Sequence, residues 1–249
     1  MIKIAPGTCL EPAGIVLKNY VDIEGSGQTN TIITAGSSAV SNTTVRGVAG
    51  ALNGEIRNLT ITNTGGGGLA VGLWLTGITP AGGFRVSSVT VTASGSTARD
   101  VGTRLVSSSP TITNLTTTAT ATGGSGAYAN WNSSASSPTM TNVVATATAN
   151  SDSHGVYNED SSPAMNNLTA TATGNSYSYG VFSGGLSVAS SPTIRNSSIT
   201  GRVGRSYSAT VRIFNSTLSV APILVILGAG VYFCAGTFIT SDGSAATCP

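Results

Sequence analysis

The tripeptide Ser-Ser-Pro recurs along this chain and marks an internal repeat. It ends at Pro110, Pro138, Pro163 and Pro192, and each proline is followed by a short strand-like stretch, then Asn, then a second such stretch. Strand-like repeats of this size without helical periodicity are typical of solenoids, in which each repeat forms one coil. The repeat therefore predicts an elongated stack of parallel strands.

One asparagine holds the same place in each repeat and fixes the length of a coil. Alignment on it gives about 25–30 residues per coil and places Ser88 at the equivalent position of one coil. Asn tolerates left-handed backbone, so a bend between two strands is expected there. Stacked at roughly 4.8 Å, the amides would donate to one another as a ladder. The predicted ladder comprises Asn58, Asn114, Asn142, Asn167 and Asn196.

Alternation assigns the two faces of each strand. In the segment 168–173 (LTATAT), Leu and Ala are expected inside and Thr outside, because successive strand residues point to opposite sides. The prediction is an all-β chain, a single-stranded parallel β-helix forming one domain over residues 1–249. Residues 1–55 would form N-terminal coils, 56–201 the regular coils, and 202–249 the C-terminal coils and cap.

The composition excludes several classes of function. Charged residues make up 8% of the chain, and the net charge is +2. The sequence contains no run of Lys or Arg that could follow a phosphate backbone. Nucleic-acid binding is therefore not expected. The spacing of Cys and His suits no metal site, and no cofactor is predicted.

Both ends of the chain resemble the pectate-lyase-like β-helix superfamily. The segments 2–8 (IKIAPGT), 20–27 (YVDIEGSG) and 31–34 (TIIT) are similar to its usual first coils, and 230–236 (GVYFCAG) is similar to the tail of bacterial β-helix repeat proteins. The resemblance implies a right-handed parallel β-helix. It leaves function open, because the superfamily includes lyases, hydrolases, esterases, phage spikes and adhesins.

One coil contains the strongest catalytic candidates. Polysaccharide-cleaving enzymes need paired carboxylates, or an acidic calcium site beside a base. Asp152, Glu159 and Asp160 share a coil with the single histidine, His154, but the aligned positions of the next coils are not acidic. Solvated loop residues are the favoured interpretation, and no catalytic site is predicted.

Aromatic residues align in successive coils. The predicted column contains Trp74, Tyr128, Tyr157 and Phe182, with Arg104 and Arg212 at aligned positions. Such a column could be a platform for sugar rings or a structural ladder of stacked rings. The structural ladder is the favoured interpretation.

Threonines align as well, on the outward face of the strands. A flat Thr array is what ice-binding solenoids present, but Thr is also the polar residue that fits a solvated strand best. The array comprises Thr62, Thr92, Thr118, Thr146, Thr171 and Thr200.

The cysteines and one apolar segment bear on location. Cys234 and Cys248 are predicted to form a disulfide, which would indicate an oxidising compartment, and Cys9 is expected to be unpaired or joined to another chain. The segment 220–236 is expected to form buried terminal strands rather than a membrane span, because it is short and contains Pro and Gly.

These features together predict a non-catalytic, secreted or cell-surface β-helix that serves as a structural or adhesive rod. Open strand edges at the ends of a solenoid favour self-association into fibres. Two alternatives remain open at this stage. One is a protein that binds or degrades polysaccharide, and the other is an ice-binding protein that uses the Thr array.

Overall fold

The computed structural model is a parallel β-solenoid. It describes residues 1–36, 42–50, 52–122, 126–174, 177–185, 189–206, 208–220, 223–224 and 231–239. In the described residues the strands are β1 (Ile2–Lys3), β2 (Gly7–Leu10), β3 (Ile15–Val16), β4 (Ile23–Glu24), β5 (Thr31–Ala35), β6 (Asn42–Gly50), β7 (Glu55–Asn63), β8 (Leu69–Ile78), β9 (Arg85–Ser94), β10 (Arg99–Val106), β11 (Thr111–Ala121), β12 (Gly126–Ser133), β13 (Thr139–Ala149), β14 (Asp152–Glu159), β15 (Ala164–Thr173), β16 (Tyr177–Gly184), β17 (Thr193–Arg195), β18 (Ser198–Thr200), β19 (Arg202–Arg205), β20 (Val211–Phe214), β21 (Thr217–Leu218), β22 (Ile223–Leu224), β23 (Tyr232–Ala235) and β24 (Phe238–Ile239). A 3₁₀ turn lies at Pro80–Gly82.

The strands stack in two parallel sheets. Over the described part of the chain, one sheet has 15 strands and the other has nine, running from β3 through β6, β8, β10, β12, β14, β16 and β19 to β22. The register follows the predicted alignment, since Leu115 lies opposite Val89 on one side and Val143 on the other. The prediction of an all-β parallel solenoid with its Asn-based register is confirmed.

The interior is built from the inward residues of these strands. Leu168 and Ala170 are buried, whereas Thr169 between them is exposed. The core passes without a break from Leu17 to Tyr232. In a rod this narrow each coil contributes a few side chains, so stability comes from stacking equivalent residues on each other.

The asparagine bend joins the two strand portions of a coil in the larger sheet. Asn142 has φ 54°, and the equivalent Asn114 and Asn167 have φ 55° and 56°. Asn142 Nδ2 donates to Asn114 Oδ1 at 2.9 Å, and Asn167 Nδ2 donates to Asn142 Oδ1 at 2.8 Å. At the next coil the pattern changes, because Asn196 Nδ2 donates to Asn166 Oδ1 instead.

Asn142 offers a test of this ladder. Asn142→Ala removes both amide hydrogen bonds and puts a Cβ-bearing residue with no local hydrogen bond into left-handed backbone, so we expect a loss of about 2–4 kcal/mol in the free energy of unfolding. Asn142→Gly loses the hydrogen bonds but tolerates the backbone, and should cost about 1–3 kcal/mol. Urea denaturation measures both, and equal losses for the two variants would contradict the backbone part of the argument.

The Thr array lies on the outer face of the same sheet. Thr118, Thr146 and Thr171 are in direct register, and each is partly exposed. Thr62 and Thr92 extend the row in one direction and Thr200 extends it in the other.

The C-terminal region differs in part from prediction. Of the described residues in the segment 220–236, Val220, Val231 and Phe233 are exposed, while Tyr232 is buried. The expectation of buried terminal strands therefore holds for Tyr232 but not for Phe233, because strand alternation turns Phe233 outward beside Tyr232. Within the described ranges, no helix is long and apolar enough to cross a membrane.

Two of the cysteines, Cys9 and Cys234, lie near opposite ends of the solenoid. Cys9 is a free, exposed thiol on β2, and Cys234 on β23 is disulfide-bonded. Cys248 falls outside the described residues, so its pairing with Cys234 stays a prediction.

Candidate functional site

A bend in the nine-stranded sheet brings side chains from several coils together. The register of β8, β10, β12, β14 and β16 passes over one residue in each strand, and these residues are Gly72, Gly102, Ala129, Gly155 and Gly180. They are small because the backbone approaches the interior closely here. A Cβ on Gly180 would clash with Ile199 Cγ2.

Two columns of large side chains flank this bend. Before it, Tyr128, His154 and Tyr179 are in register. After it, the column runs through Trp74, Arg104, Trp131, Tyr157 and Phe182.

Tyr128 is therefore not in the predicted column with Trp74, Tyr157 and Phe182. Trp131 takes that place, and Tyr128 lies opposite Val101 in the other column. The prediction is wrong here because it aligned Gly126 with Gly102, whereas strand pairing places Gly126 opposite Arg99. The better signal was the pair of dipeptides Trp131-Asn132 and Tyr157-Asn158. Their buried amides bond to each other, with Asn132 Nδ2 donating to Asn158 Oδ1 at 2.8 Å. Arg212 also lies elsewhere, opposite Phe233 in the larger sheet.

Most ring pairs between the two columns meet at steep angles of 57° to 73°, whereas Tyr128 and Trp131 stack with their planes 28° apart. The ring of His154 is stacked between those of Tyr128 and Tyr179. Its centroid lies 5.0 Å from that of Tyr128 and 5.5 Å from that of Tyr179, and its plane is tilted from theirs by 11° and 10°. Tyr157 stacks on Phe182 at 5.5 Å and meets Tyr128 edge-on at 5.6 Å. Such offset and edge-to-face contacts are the arrangements that aromatic pairs favour. The cluster therefore stabilises the fold and also holds its rings rigidly.

An open pocket of about 320 Å³ lies on this cluster. Its size is at the lower end of the range usual for small-molecule sites, roughly 300–1,000 Å³. The lining residues are Tyr128, Asp152, His154, Tyr157, Tyr177, Tyr179 and Phe182. Tyr177 is 57% exposed, so the pocket opens directly to solvent.

Burial sets the protonation of the lining groups. His154 is 7% exposed, and loss of solvent lowers the pKa of its imidazole to about 3, so the ring is neutral at pH 7. Its Nδ1 has no hydrogen-bond partner in the described structure. Burial likewise raises the pKa of Tyr157 to about 12, which keeps its phenol protonated.

The three acidic residues of the predicted coil lie in three different environments. Asp152 reaches the pocket together with His154. Glu159 Oε2 instead accepts a hydrogen bond from Trp131 Nε1 at 3.2 Å. Asp160 follows β14 in left-handed backbone with φ 49°, at the turn out of the coil. Among the described residues, no group of three or more His, Cys, Asp or Glu side chains is arranged to hold a metal ion.

Arg104 extends the second column as a cation between two aromatic faces. Its guanidinium lies 4.8 Å from the ring of Trp74 and 4.5 Å from that of Trp131. Burial lowers the pKa of Arg104, and the nearby Glu159 carboxylate opposes this shift. Arg99 lies 5.5 Å from the Trp131 ring.

A cluster of charged residues in the N-terminal coils was not predicted from the sequence. Arg57 donates to Glu55 Oε2 at 2.7 Å and to Glu24 Oε2 at 3.2 Å, and Ser87 Oγ donates to Glu55 Oε1 at 2.6 Å. Burial alone would raise the pKa of Glu55, but the hydrogen bonds from Ser87 and Arg57 and the charge of Arg85 lower it. The residues come from adjacent coils, so the signal was the pairing of Glu24 with Arg57 across the repeat. Because the charges satisfy each other, this cluster is a structural ion network.

Solved structures similar to this chain share its fold. A pectin methylesterase from carrot matches at 14% identity over 98% of this chain and 74% of its own, with a TM-score of 0.58. The fold is that of the pectate-lyase-like right-handed β-helices. A pectin methylesterase from Yersinia enterocolitica matches at 12% identity over 99% of this chain and 86% of its own, with a TM-score of 0.46. The A-module of a mannuronan C-5 epimerase from Azotobacter vinelandii matches at 15% identity over 99% and 90%, with a TM-score of 0.49. No protein-family model and no curated protein matches the sequence.

These comparisons correct the functional prediction. The prediction of a non-catalytic structural or adhesive rod is wrong, because the carrot pectin methylesterase, which shares this fold at a TM-score of 0.58, is an enzyme named for a polysaccharide. The alternative of a protein that binds or degrades polysaccharide fits this neighbour better. Since identities of this size establish the fold alone, the function of this chain is argued from its site.

Proposed function

We propose that this protein binds polysaccharide and that its binding site is the aromatic pocket on β12, β14 and β16. The observation that carries the proposal is the pocket, an open space of about 320 Å³ with aromatic walls and one carboxylate. A sugar ring has an apolar C–H face and a rim of hydroxyls. Aromatic side chains supply contact area for that face, while phenols and a carboxylate bond the hydroxyls.

The second column of side chains runs along the rod and sets the direction in which a bound glycan would extend. Trp74, Arg104, Trp131, Tyr157 and Phe182 occupy consecutive coils. Their four intervals at strand spacing span roughly 19 Å along the rod. An extended glycan could therefore contact several coils, with one sugar unit in the pocket.

The pocket is better suited to binding than to acid–base chemistry. A general base works best when its pKa lies near the working pH, whereas burial holds the pKa of His154 at about 3. Glycosidic cleavage with two carboxylates needs both beside the bond. Of the described residues that line the pocket, Asp152 is the single carboxylate.

An extracellular location is part of the proposal. The disulfide at Cys234 supports an oxidising compartment, such as the outside of the cell.

A polysaccharide panel tests the proposal. Pectin, mannuronan, chitosan and a neutral glucan are titrated into the protein by isothermal calorimetry, with and without calcium, while release of reducing ends is followed in parallel. We expect saturable binding of at least one polymer, and release of reducing ends would show that the protein also degrades it. Absence of binding to every polymer would contradict the proposal. Product release that Asp152→Asn abolishes would instead assign a catalytic role to that carboxylate.

A further inference from the structure

The charge of the pocket points to the kind of sugar it holds, an inference that rests on the proposed function. Seven described side chains line the pocket, and Asp152 carries the single carboxylate among them. The imidazole of His154 is neutral there, and burial keeps the phenols of Tyr128, Tyr157 and Tyr179 protonated by raising their pKa values. The pocket itself therefore has a negative lining.

Two cations lie close to the pocket without lining it. Arg202 is held by a hydrogen bond to the Tyr179 side chain, and Arg99 lies over the ring of Trp131. Neither guanidinium lines the pocket, and Glu159 and Asp160 add negative charge on the same coil as Asp152. Besides burial, the charge of Asp152 raises the pKa values of both Tyr128 and Tyr179, while Arg99 at the first phenol and Arg202 at the second lower them more strongly than Asp152 raises them.

We propose that this pocket binds an amino-sugar unit whose protonated amino group contacts Asp152, and that it disfavours uronate units. An ammonium group offers three donors, which match the carboxylate of Asp152 and the phenol oxygens of the neighbouring tyrosines. A uronate would instead bring a second negative charge into a partly desolvated site, where like charges repel most strongly. Because the aromatic side chains partly desolvate the site, the attraction between the ammonium group and the Asp152 carboxylate is stronger there than in bulk water.

Matched oligosaccharides test the charge preference. Glucosamine hexamer, N-acetylglucosamine hexamer and galacturonate hexamer differ mainly in having a positive, a neutral or a negative group on each unit. We expect glucosamine hexamer to bind on the order of 10-fold more tightly than the N-acetylated form, and galacturonate hexamer to bind most weakly. Calorimetry at pH 6 and low salt, with the complete chain, gives the three affinities.

Substitution of Asp152 should shift the affinities for the two charged ligands in opposite directions. Asp152→Asn removes the negative charge with little change of shape, so glucosamine hexamer should lose roughly 10-fold in affinity while galacturonate hexamer gains. Glu11→Gln makes the same change of charge far from the pocket and should shift neither affinity by more than about 2-fold, because distant surface charges are screened. A thermal melt confirms that both variants are folded.

The outcomes separate this inference from the proposed function. Binding of the neutral or uronate hexamer at least as tightly as glucosamine hexamer would overturn the amino-sugar inference and leave polysaccharide binding intact. An equal loss for all three hexamers in Asp152→Asn would also overturn it, since that pattern reflects a general hydrogen bond and not charge. Failure of all three hexamers, together with failure of the polymer panel, would overturn the proposed function itself.

Discussion

Tyr157→Ala is expected to reduce affinity for the best-bound polysaccharide of the panel by roughly 30-fold, a loss of about 2 kcal/mol. Tyr157 contacts the rings of Tyr128, Trp131, His154 and Phe182, so it is the central ring of the cluster and part of the pocket wall. Large aromatic residues at the centre of an interface carry most of the binding energy. Calorimetric titration measures the effect.

Two further variants separate contact from folding. Tyr157→Phe retains the ring and should lose less than about 5-fold in affinity, since one hydrogen bond contributes about 0.5–1.5 kcal/mol. Tyr20→Ala removes a ring that is 78% exposed at the N-terminal end and should leave affinity unchanged. Unchanged affinity in a folded Tyr157→Ala variant would show that this pocket is not the binding site.

His154 is expected to make the protein lose stability as the pH falls below 6.5. Its folded-state pKa is lowered to about 3 by burial, whereas an exposed histidine has a pKa near 6.5. Between these values the unfolded chain binds a proton that the folded chain does not, so acid favours unfolding. From pH 7 to pH 5 the free energy of unfolding should fall by about 2 kcal/mol from this group alone.

The comparison with His154→Phe isolates this effect. Phenylalanine retains a ring between Tyr128 and Tyr179 but cannot bind a proton, so its stability should be nearly constant from pH 7 to pH 5. Carboxylates such as Glu55, whose pKa is lowered from 4.5, lose their contribution only at lower pH. Urea denaturation at each pH measures both proteins, and parallel slopes would show that His154 takes up its proton in the folded state.

The regular coils were predictable because the repeat constrains strand pairing. Once Asn114, Asn142 and Asn167 were aligned, alternation placed Leu168 and Ala170 inside and Thr169 outside, as observed. A shift of one residue would expose the whole apolar face of a strand, so the register is strongly specified. The same regularity gave the left-handed bend, because Asn tolerates that backbone conformation better than most residues.

The pocket was less predictable because its residues lie where the repeat is least regular. Glycine at position 126 suggested one alignment, while pairing of the buried Asn132 with Asn158 enforced another. The correct register replaces Tyr128 by Trp131 in one column and puts Tyr128 beside His154 in the other. Alignment of glycines reflects backbone freedom, whereas register reflects side-chain burial, and the two need not agree.

The sequence by itself determined the coil length, the parallel solenoid and the inward and outward faces of the strands, because these follow from periodicity and from the cost of exposing apolar surface. Only the tertiary structure decided which rings meet across the bend, that Asp152 enters the pocket while Glu159 bonds to Trp131, and that Glu24 and Arg57 pair across coils. These contacts join residues from different coils, and their distances depend on side-chain direction and local bends that no single repeat encodes.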